Sequence, residues 1–482
     1  ETKITLIAKK ARENTELRFT SLIHHLNEEY LLSCFKDLKR GKAAGIDQRT
    51  KESYTDQEIK ATIVQTVADM KANTYRPQPV RRIYIRKENN KQRPLGLPTV
   101  IDKTIQLAAK NILEAIHEPN FLHCSYGYRP NLNAHQALKE VNHMVMQKKI
   151  NYIIDADIKG FFDNINHYWM MECLSQRISD PRFKSLIWKF LKSGILQERQ
   201  YHPTEQGTPQ GGIISPVLAN IYLHYVLDLW FEVVARKEIQ GEVQLIRYAD
   251  DFVIGLQHKD QAEKLFNLLK QRLAKFSLTL SGEKTRIIEF GRFARTNHQK
   301  RNQGKPQTFD FLGFTHYCTT IRDGRFKLGT KTSSKRMKRS VTAMNTWLKT
   351  VRNRAKQEDI WKILQSKLQG HYNYYGISGN FGCINYFYYK ARLLIFKWLN
   401  RRSQKKTFSS WDDFNRYIDR YPLPLPKLTF QIYNTLKKYC AFWNHKINIF
   451  VCQFFDSIKN TRNFIINLNE NHLFFRNFFN FV

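Results

Sequence analysis

The chain has 482 residues, of which 42% are hydrophobic and 13% aromatic. This composition excludes disorder throughout, and the length leaves room for about two to four structural units. The 78 lysines and arginines exceed the 42 aspartates and glutamates by 36 charges. A soluble chain with this much self-repulsion usually has a polyanion as its partner. Nucleic acid is therefore the first candidate.

The cysteines and the apolar stretches bear on where the protein acts. Seven cysteines lie far apart, without a CxxC pair or zinc-ligand spacing, which predicts free thiols in a reducing compartment. The first residues lack an apolar signal segment, so we predict a cytoplasmic protein. The most apolar stretch, residues 213–235, is expected to be an amphipathic helix and no membrane span, because it carries polar residues at four-residue spacing: Asn220, His224, Asp228 and Glu232.

The N-terminal two thirds of the chain alternate between helix and strand patterns. A helix is expected over residues 14–40, two strands with a basic turn over 77–98, and a helix over 102–117. Residues 151–158 have the pattern of a buried strand that ends in acids. Residues 243–256 have that of a hairpin with acids at its tip.

The C-terminal third has a different sequence pattern. Beyond about residue 330, three amphipathic stripes with one basic side predict a helical bundle. Residues 400–430 are expected to form an exposed basic connector. Residues 435–482 shift towards Phe, Asn and Ile, with little helical or strand period.

Three carboxylates, Asp157, Asp250 and Asp251, end hydrophobic strands, where a charge is costly unless it meets a cation. Carboxylate oxygens are the ligands that Mg²⁺ prefers. Three such acids suit a two-metal site that activates a primer 3′-hydroxyl and stabilises the departing pyrophosphate. Either acidic pair alone would more often be an ordinary turn, and it is the combination that favours catalysis.

The tetrapeptide YADD at 248–251, inside a hydrophobic hairpin, is typical of reverse transcriptases. It does not stand alone: from about residue 20 to 434 the chain resembles the group II intron reverse transcriptase and maturase family, in the family's block order. One departure is Gln48, where the family usually has Gly. The other matching blocks are 41–47 (GKAAGID), 81–87 (RRIYIRK), 91–98 (KQRPLGLP), 125–130 (SYGYRP), 157–163 (DIKGFFD), 207–216 (GTPQGGIISP), 278–285 (LTLSGEKT), 309–314 (FDFLGF), 370–376 (GHYNYYG) and 424–428 (PLPKL).

The resemblance implies an α+β right-hand polymerase, with fingers and palm followed by an α-helical thumb. No zinc-ligand endonuclease pattern follows residue 434, so cleavage of target DNA by this chain is not expected. The implied domains are an N-terminal extension with the first fingers block (1–75), fingers and palm (76–325), thumb (326–400), a basic connector (401–434) and a tail of unassigned role (435–482).

The resemblance also implies the catalytic residues. Asp157, Asp250 and Asp251 match the metal-binding triad, and Ile158 is assigned to the same site, which would take two Mg²⁺ ions with Mn²⁺ as a substitute. Asp155 points the same way on its strand and either joins the ligands or supports them. Lys284 matches a lysine suspected of protonating pyrophosphate, with a passive electrostatic contact as the alternative.

Four residues match positions that bind the incoming nucleotide. Phe162 matches the ring that would clash with a 2′-hydroxyl, with plain core as the alternative. Gln210 matches a residue that touches the sugar and backbone of the nucleotide. Lys87 and Arg93 are cations able to grip a triphosphate, with solvated surface as the alternative.

Template and primer need a track of cations and rings. Lys335, Arg336 and Arg339 load the basic side of the predicted bundle, and Tyr372 either stacks on nucleic acid or closes the bundle core. The resemblance adds three further contacts with nucleic acid: Arg129, Tyr248 and Gly313.

These features predict RNA-templated DNA synthesis with dNTPs on a DNA primer, the template being a group II intron or another structured RNA. An RNA-binding splicing factor would need the basic surface but not the acidic triad. A domesticated reverse transcriptase in phage defence or repair would differ only in its partners and product. An RNA-dependent RNA polymerase is disfavoured by Phe162 and by the YADD tetrapeptide.

Overall fold

The computed structural model describes residues 3–86, 92–198, 200–208, 211–402, 404 and 406–433. The chain divides into two compact units, Glu1–Ile432 and Tyr433–Val482, and the first unit carries everything described below. The tail predicted over 435–482 lies outside the described residues.

Helices make up most of the first unit, and several begin at caps that the sequence supplies. Thr55 and Glu58 form a reciprocal capping box at the start of one helix, and Asn133 and Gln136 do so at another. The α-helices are α1 (Lys3–Glu13), α2 (Glu28–Asp37), α3 (Asp56–Lys71), α4 (Val100–His117), α5 (Ala134–Gln147), α6 (Phe161–Asn164), α7 (His167–Ser175), α8 (Pro181–Leu191), α9 (Ser215–Leu223), α10 (Arg236–Glu238), α11 (Lys259–Lys275), α12 (Ala294–Lys300), α13 (Ser334–Val351), α14 (Gln357–Tyr375), α15 (Phe381–Leu399) and α16 (Trp411–Arg420).

The strands assemble into small sheets that are mostly antiparallel. They are β1 (Val80–Arg86), β2 (Gln92–Leu97), β3 (Tyr152–Asp157), β4 (Ile195–Gln197), β5 (Gln200–His202), β6 (Val243–Tyr248), β7 (Asp251–Leu256), β8 (Arg286–Glu289), β9 (Phe309–Phe311), β10 (Phe314–Thr320) and β11 (Phe326–Thr332). Within the described residues the sheet orders are β2-β1-β4-β5, β6-β7-β3-β8 and β11-β10-β9. The second of these is called the central sheet below. The predicted hairpin over 77–98 and the predicted strands over 151–158 and 243–256 are present.

The central sheet is buried on both faces, which explains its nearly continuous apolar sequence. Ile154 and its partner Ile254 pack into a large core shared with α2, α4 and α9. Ile153 and Val253 face the other way, into a core shared with α5 and the β9–β11 sheet. A sheet held from both sides is a rigid base for side chains at its end.

The helical bundle has its own core, and it is larger than the sequence predicts. The expected helices α13, α14 and α15 are joined by α16, whose Phe414 and Ile418 are buried with Phe408 and Leu423 in the same core. The expectation of an exposed connector over 400–430 is therefore wrong, because apolar residues within this basic stretch cover one side of the bundle. The bundle begins at Ser334. The predicted boundary at 325/326 is wrong, because it falls inside the β10–β11 hairpin.

The helix predicted over residues 14–40 is interrupted. Only α2 is α-helical there, preceded by a short 3₁₀ turn at Ile23–His25. The carboxylate of Asp180 accepts the backbone N–H groups of Leu22 and Ile23, at 2.5 and 2.9 Å. This long-range bond ties the chain to the start of α8, and a local helical pattern cannot predict it.

The apolar stretch at 213–235 forms one continuous helix, Ser215–Glu238, with π-helical turns at His224–Asp228 and Phe231–Ala235. By length and composition alone this helix could cross a membrane, but 67% of its most apolar window is buried inside the protein. Such burial is what the core helix of a folded domain shows.

Burial of His316 makes the stability of the fold dependent on pH. The ring stacks on Phe309 with centroids 4.8 Å apart, and burial lowers its pKa to about 3. The unfolded chain binds a proton near pH 6.5, so the neutral ring contributes stability above that pH that is lost as the pH falls towards 3. At pH 5 the loss amounts to about 2 kcal/mol. We expect His316→Phe to reduce, by about this amount, the drop in unfolding free energy between pH 7 and pH 5 measured by chemical denaturation.

The matched control is His202→Phe, because His202 is exposed. This variant should keep the pH dependence of the original chain. An unchanged pH dependence in His316→Phe would contradict the assignment of His316 as a buried neutral ring.

Candidate active site

Two antiparallel pairings bring the predicted acids to one end of the central sheet. Asp157, the last residue of β3, stands opposite Asp251, the first residue of β7. Tyr248 of β6 also stands opposite Asp251, so Asp250 occupies the second position of the two-residue turn between β6 and β7. Asp157, Asp250 and Asp251 are therefore neighbours, with Ile158 next along the chain.

The electrostatics of this end of the sheet are dominated by clustered carboxylates. Burial, followed by the charges of Asp155, Asp250 and Asp157, raises the pKa of Asp251 to about 7. Burial also raises the pKa of Asp155 to about 6, against the lowering effect of Arg286, whose Nε lies 3.5 Å from the Asp155 carboxylate. Added positive charge would stabilise the ionised form of both groups.

Lys284 reaches the acids from the segment that follows Leu280. Its Nζ lies 2.8 Å from Oδ2 of Asp157, while 65% of the lysine side chain remains exposed. The backbone N–H of Ser281 donates to the Asp157 carbonyl at 2.8 Å, which fixes this segment against the end of β3. An exposed ion pair of this kind contributes little stability, so Lys284 can exchange this partner for a substrate at low energetic cost.

The turn that carries Asp250 is backbone-strained. Ala249 has φ of 57°, a left-handed conformation that is unfavourable for a residue with a Cβ. Gly127 closes over this turn, since a Cβ at Gly127 would lie 2.4 Å from the Ala249 nitrogen. The surrounding structure must therefore hold the turn in place.

A fully buried arginine provides part of that support. Arg247 Nη1 donates to the Ala249 carbonyl at 3.0 Å and to Asn220 Oδ1 at 3.1 Å. Its other donors form a bidentate pair with Asp228, with 2.8 Å from Nε to Oδ1, and both side chains are 0% exposed. Asn220 in turn donates to the Gly127 carbonyl at 2.7 Å. We call Asp228, Arg247, Asn220 and Gly127 the turn clamp.

The turn clamp corrects the interpretation of the polar stripe on the long helix. Asn220, His224 and Asp228 are 1%, 2% and 0% exposed, so they face the interior and not solvent. Arg247 lies in no local sequence pattern that predicts its role. The available signal was the four-residue spacing of polar groups on a helix too apolar to lie at the surface, which predicts a buried polar partner.

A second hairpin turn touches the acids from the β9–β11 sheet. Leu312 and Gly313 both have positive φ, 52° and 81°, as a tight turn between Phe311 and Phe314 requires. The Leu312 backbone N–H donates to the Asp251 carboxylate and lowers the pKa of that group against the effects that raise it.

The basic start of α13 lies beside this turn. The backbone N–H of Ser333 donates to the Gly313 carbonyl at 3.0 Å. A Cβ at Gly313 would lie 3.5 Å from Cγ of Arg336. Lys335, Arg336 and Arg339 are all exposed, so the predicted cationic track begins next to the acid cluster. Tyr248 is half-buried at the same end of the central sheet.

Phe162 lies on the short helix that follows β3. It is half-buried and meets Phe161 edge to face at 5.4 Å. The Thr208 N–H donates to the Phe162 carbonyl at 2.8 Å, which holds the loop at 207–208 against this helix. A Cβ at Gly211 would lie 2.6 Å from the Gly96 carbonyl of β2. The loop at 207–208 therefore packs against the helix of Phe162, and Gly211 packs against β2.

Three of the predicted nucleotide-binding residues stay predictions. Lys87 and Gln210 lie outside the described residues. The backbone of Arg93 pairs with Ile85 in the β1–β2 hairpin, but its side chain also lies outside the described part of the chain.

Two predicted nucleic-acid contacts are corrected by burial. Arg129 pairs with Glu118 at 2.8 Å and donates to the carbonyls of Leu122 and Ser125, at 2.9 and 2.7 Å, with 9% of its side chain exposed. Its guanidinium therefore holds the chain together and does not face a phosphate. Tyr372 is 0% exposed in the core of the bundle, which leaves the core alternative for this ring.

The donor chemistry at the acid end fits a hard divalent cation. Among the described residues, no group of three or more His, Cys, Asp or Glu side chains is already arranged to hold a metal ion. The carboxylates of Asp157, Asp250 and Asp251 are nevertheless oxygen donors of the type that Mg²⁺ prefers. The raised pKa of Asp251 records clustered negative charge that such a cation would stabilise.

Comparison with known proteins agrees with this site. Residues 85–316 match the model of the reverse transcriptase (RNA-dependent DNA polymerase) family. This range contains β3, the β6–β7 hairpin and the Leu312 turn. The chain accordingly has the palm and fingers fold of a reverse transcriptase, and it is an RNA-directed DNA polymerase.

Individual relatives identify the group of reverse transcriptases to which the chain is similar. The chain is 32% identical to the group II intron-encoded protein LtrA of Lactococcus lactis subsp. cremoris over 84% of this chain and 79% of that protein. It is 34% identical to protein YkfC of Escherichia coli (44% of this chain, 64% of that protein) and 26% identical to nuclear intron maturase 4, mitochondrial, of Arabidopsis thaliana (30% and 18%). The chain belongs to the group II intron-encoded reverse transcriptase and maturase family.

The turn clamp generates a prediction that separates stability from catalysis. Asp228→Asn leaves the Arg247 charge buried without its ionic partner, and we expect a loss of about 3–5 kcal/mol in unfolding free energy. The double variant Asp228→Leu with Arg247→Met removes both charges and should recover much of that stability. It still lacks the donor to the Ala249 carbonyl, so we expect about a 10-fold or greater fall in kcat for primer extension.

The two readouts are denaturant unfolding and steady-state primer extension on the same preparations. A double variant that is stable and fully active would show that the clamp serves the fold and does not position the turn.

Proposed function

We propose that the acid end of the central sheet catalyses primer extension with Asp157, Asp250 and Asp251 as the ligands of two Mg²⁺ ions, which Mn²⁺ can replace. The backbone carbonyl of Ile158 would supply a further oxygen. The observation that carries this proposal is the meeting of the three acids at one sheet end. When bound, the ions would activate the primer 3′-hydroxyl and stabilise charge on the leaving pyrophosphate.

Protein groups around the acids then take distinct roles. Lys284, already within hydrogen-bond reach of Asp157, would donate a proton or a hydrogen bond to pyrophosphate. The Leu312–Gly313 turn would hold the primer end beside Asp251. Phe162 would lie under the sugar, and Lys87, Arg93 and Gln210 would bind the rest of the dNTP.

The helical bundle over α13–α16 would be the thumb of a right-hand polymerase. Exposed Lys335, Arg336 and Arg339 start this bundle next to the Gly313 turn. Cations at this point can hold phosphates of the template–primer duplex as it leaves the acids. These phosphate contacts would then make the affinity for the template–primer duplex fall as the salt concentration rises.

We further propose that the protein acts as a maturase on a group II intron RNA. The excess of 36 positive charges and the intron-encoded relatives support this role. Free thiols at the five cysteines of the described residues fit a cytoplasmic location. A domesticated reverse transcriptase with another structured RNA would use the same active site, so the RNA and any cDNA recovered with the native protein would decide between these roles.

Substitution of Asp250 tests the catalytic assignment. We expect Asp250→Ala to reduce primer extension on an RNA template by at least about 1,000-fold, because a metal ligand is lost. RNA binding, measured by filter retention at fixed salt, should stay unchanged. Extension at the original rate would contradict the assignment.

Asp260→Ala is the matched control for charge. Asp260 lies in the first turn of α11, beyond the other end of β7, and it is exposed. This variant should keep the original extension rate.

Substitution of Phe162 tests sugar selection. We expect Phe162→Ala to raise incorporation of rNTP relative to dNTP by about 10-fold or more, because the space for a 2′-hydroxyl opens. Phe162→Tyr keeps the ring and should keep the preference for dNTP. Competition assays with matched dGTP and GTP measure the ratio, and an unchanged ratio in Phe162→Ala would assign the ring to the core alone.

A further inference from the structure

A strongly basic surface lies outside the polymerase site, on the segment between β8 and β9. Residues 291–307 contain five lysines and arginines and no aspartate or glutamate. Arg292, Arg295, Lys300 and Lys305 are exposed, and Phe293 exposes 59% of its surface among them. We call these five residues the remote basic surface.

Most of this positive charge is not matched by protein carboxylates. Arg301 pairs with Glu289. No acid within the described ranges forms an ion pair with the four cations of the remote basic surface. Arg292 donates to the Met146 carbonyl at 2.7 Å and Arg295 to Oγ1 of Thr320 at 3.4 Å, both neutral acceptors. The guanidinium groups are thus fixed to the fold while their charge faces solvent.

The remote basic surface is separated from the acids by the length of the central sheet. Asp155 pairs with Arg286 near the active end, whereas Tyr152 pairs with Glu289 at the other end. A Cβ at Gly291 would meet the Ile150 carbonyl at 2.3 Å. Ile150 lies seven residues before Asp157, a span of about 20 Å at the rise of a strand.

The exposed ring adds a specific element to the charge. Phe293 precedes α12 directly and has no polar atom to interact with water. A large ring exposed between two arginines is costly on a protein surface but suits an unpaired base, which can stack on it while the arginines hold the flanking phosphates. Neither an anionic membrane surface nor an acidic peptide requires this planar contact.

We infer that the remote basic surface is a second RNA-binding surface, which holds an unpaired, phosphate-flanked nucleotide of a structured RNA while the polymerase site is occupied. This inference rests on the proposed action on structured RNA. It assigns to the outer edge of the palm an RNA contact distinct from the template–primer track at α13.

The test uses the full chain with its polymerase site filled. A saturating RNA/DNA template–primer duplex occupies that site, and a fluorescein-labelled RNA hairpin with an unpaired loop is titrated by anisotropy. We expect the original chain to bind the hairpin. The triple variant R292Q/R295Q/K300Q should bind it at least about 10-fold more weakly, with the slope of log affinity against log salt reduced by about 2 to 3.

Three further variants test whether binding depends on the position of the charges and on the aromatic ring. K259Q/K270Q/K275Q removes three exposed lysines from α11 and should change hairpin affinity by less than about twofold. Phe293→Ala should weaken binding, and Phe293→Trp should retain it, because only the aromatic face is needed. Equal losses in both triple variants, or equal affinity in Phe293→Ala and Phe293→Trp, would overturn the inference.

Primer extension on a short unstructured template distinguishes the two proposals. The triple variant R292Q/R295Q/K300Q should extend the primer at the original rate. A parallel loss of extension would place these residues in the polymerase track and overturn the inference. Absence of extension by the original chain would instead contradict the proposed function, and vesicle binding without hairpin binding would assign the surface to a membrane.

Discussion

The buried ion pair between Arg247 and Asp228 is the interaction on which the active site most depends. Two charges without solvent are costly, and they are tolerated here because each of the three guanidinium nitrogens of Arg247 has an acceptor. One of those acceptors is the carbonyl of Ala249, within the strained turn that presents Asp250. The long apolar helix therefore contributes more than packing: its inward polar groups hold the turn that carries Asp250 in an unfavourable backbone conformation.

A second constraint is the mutual repulsion of the acids. Asp251 and Asp155 have raised pKa values because burial and like charge act together. The protein offers partial compensation through Lys284, Arg286 and the Leu312 N–H, which come from two segments, residues 284–286 and the turn at Leu312. The central sheet, buried on both faces, resists the separation that repulsion favours. The site is thus prepared for cations that the chain itself does not supply.

The sequence predicts the meeting of Asp157, Asp250 and Asp251, because strands that end in acids and a turn that carries Asp250 are local patterns. The blocks that match the family also predict the β1–β2 hairpin and the helical bundle. The features that the sequence does not predict depend on contacts between residues far apart in the chain. Asp180 accepts the N–H of Leu22, 158 residues away in the chain, where the predicted helix is interrupted. Asp228 on the long helix pairs with Arg247 on β6. Packing buries Arg129 and Tyr372. A polar or aromatic residue in a matching block does not reveal whether it faces the substrate or the core.

The positive charge of the chain is distributed over separate surfaces. Arg336, at the start of α13, lies beside the Gly313 turn, and the preceding residue Leu312 donates its N–H to the Asp251 carboxylate. The remote basic surface adjoins Ile150, which lies about 20 Å along the strand from Asp157, so more than two Debye lengths at physiological salt separate this surface from the acids. An excess of 36 charges concentrated in one cleft would oppose product movement. Under the inference above, division of the positive charge between two surfaces would allow one RNA to be held while another strand advances.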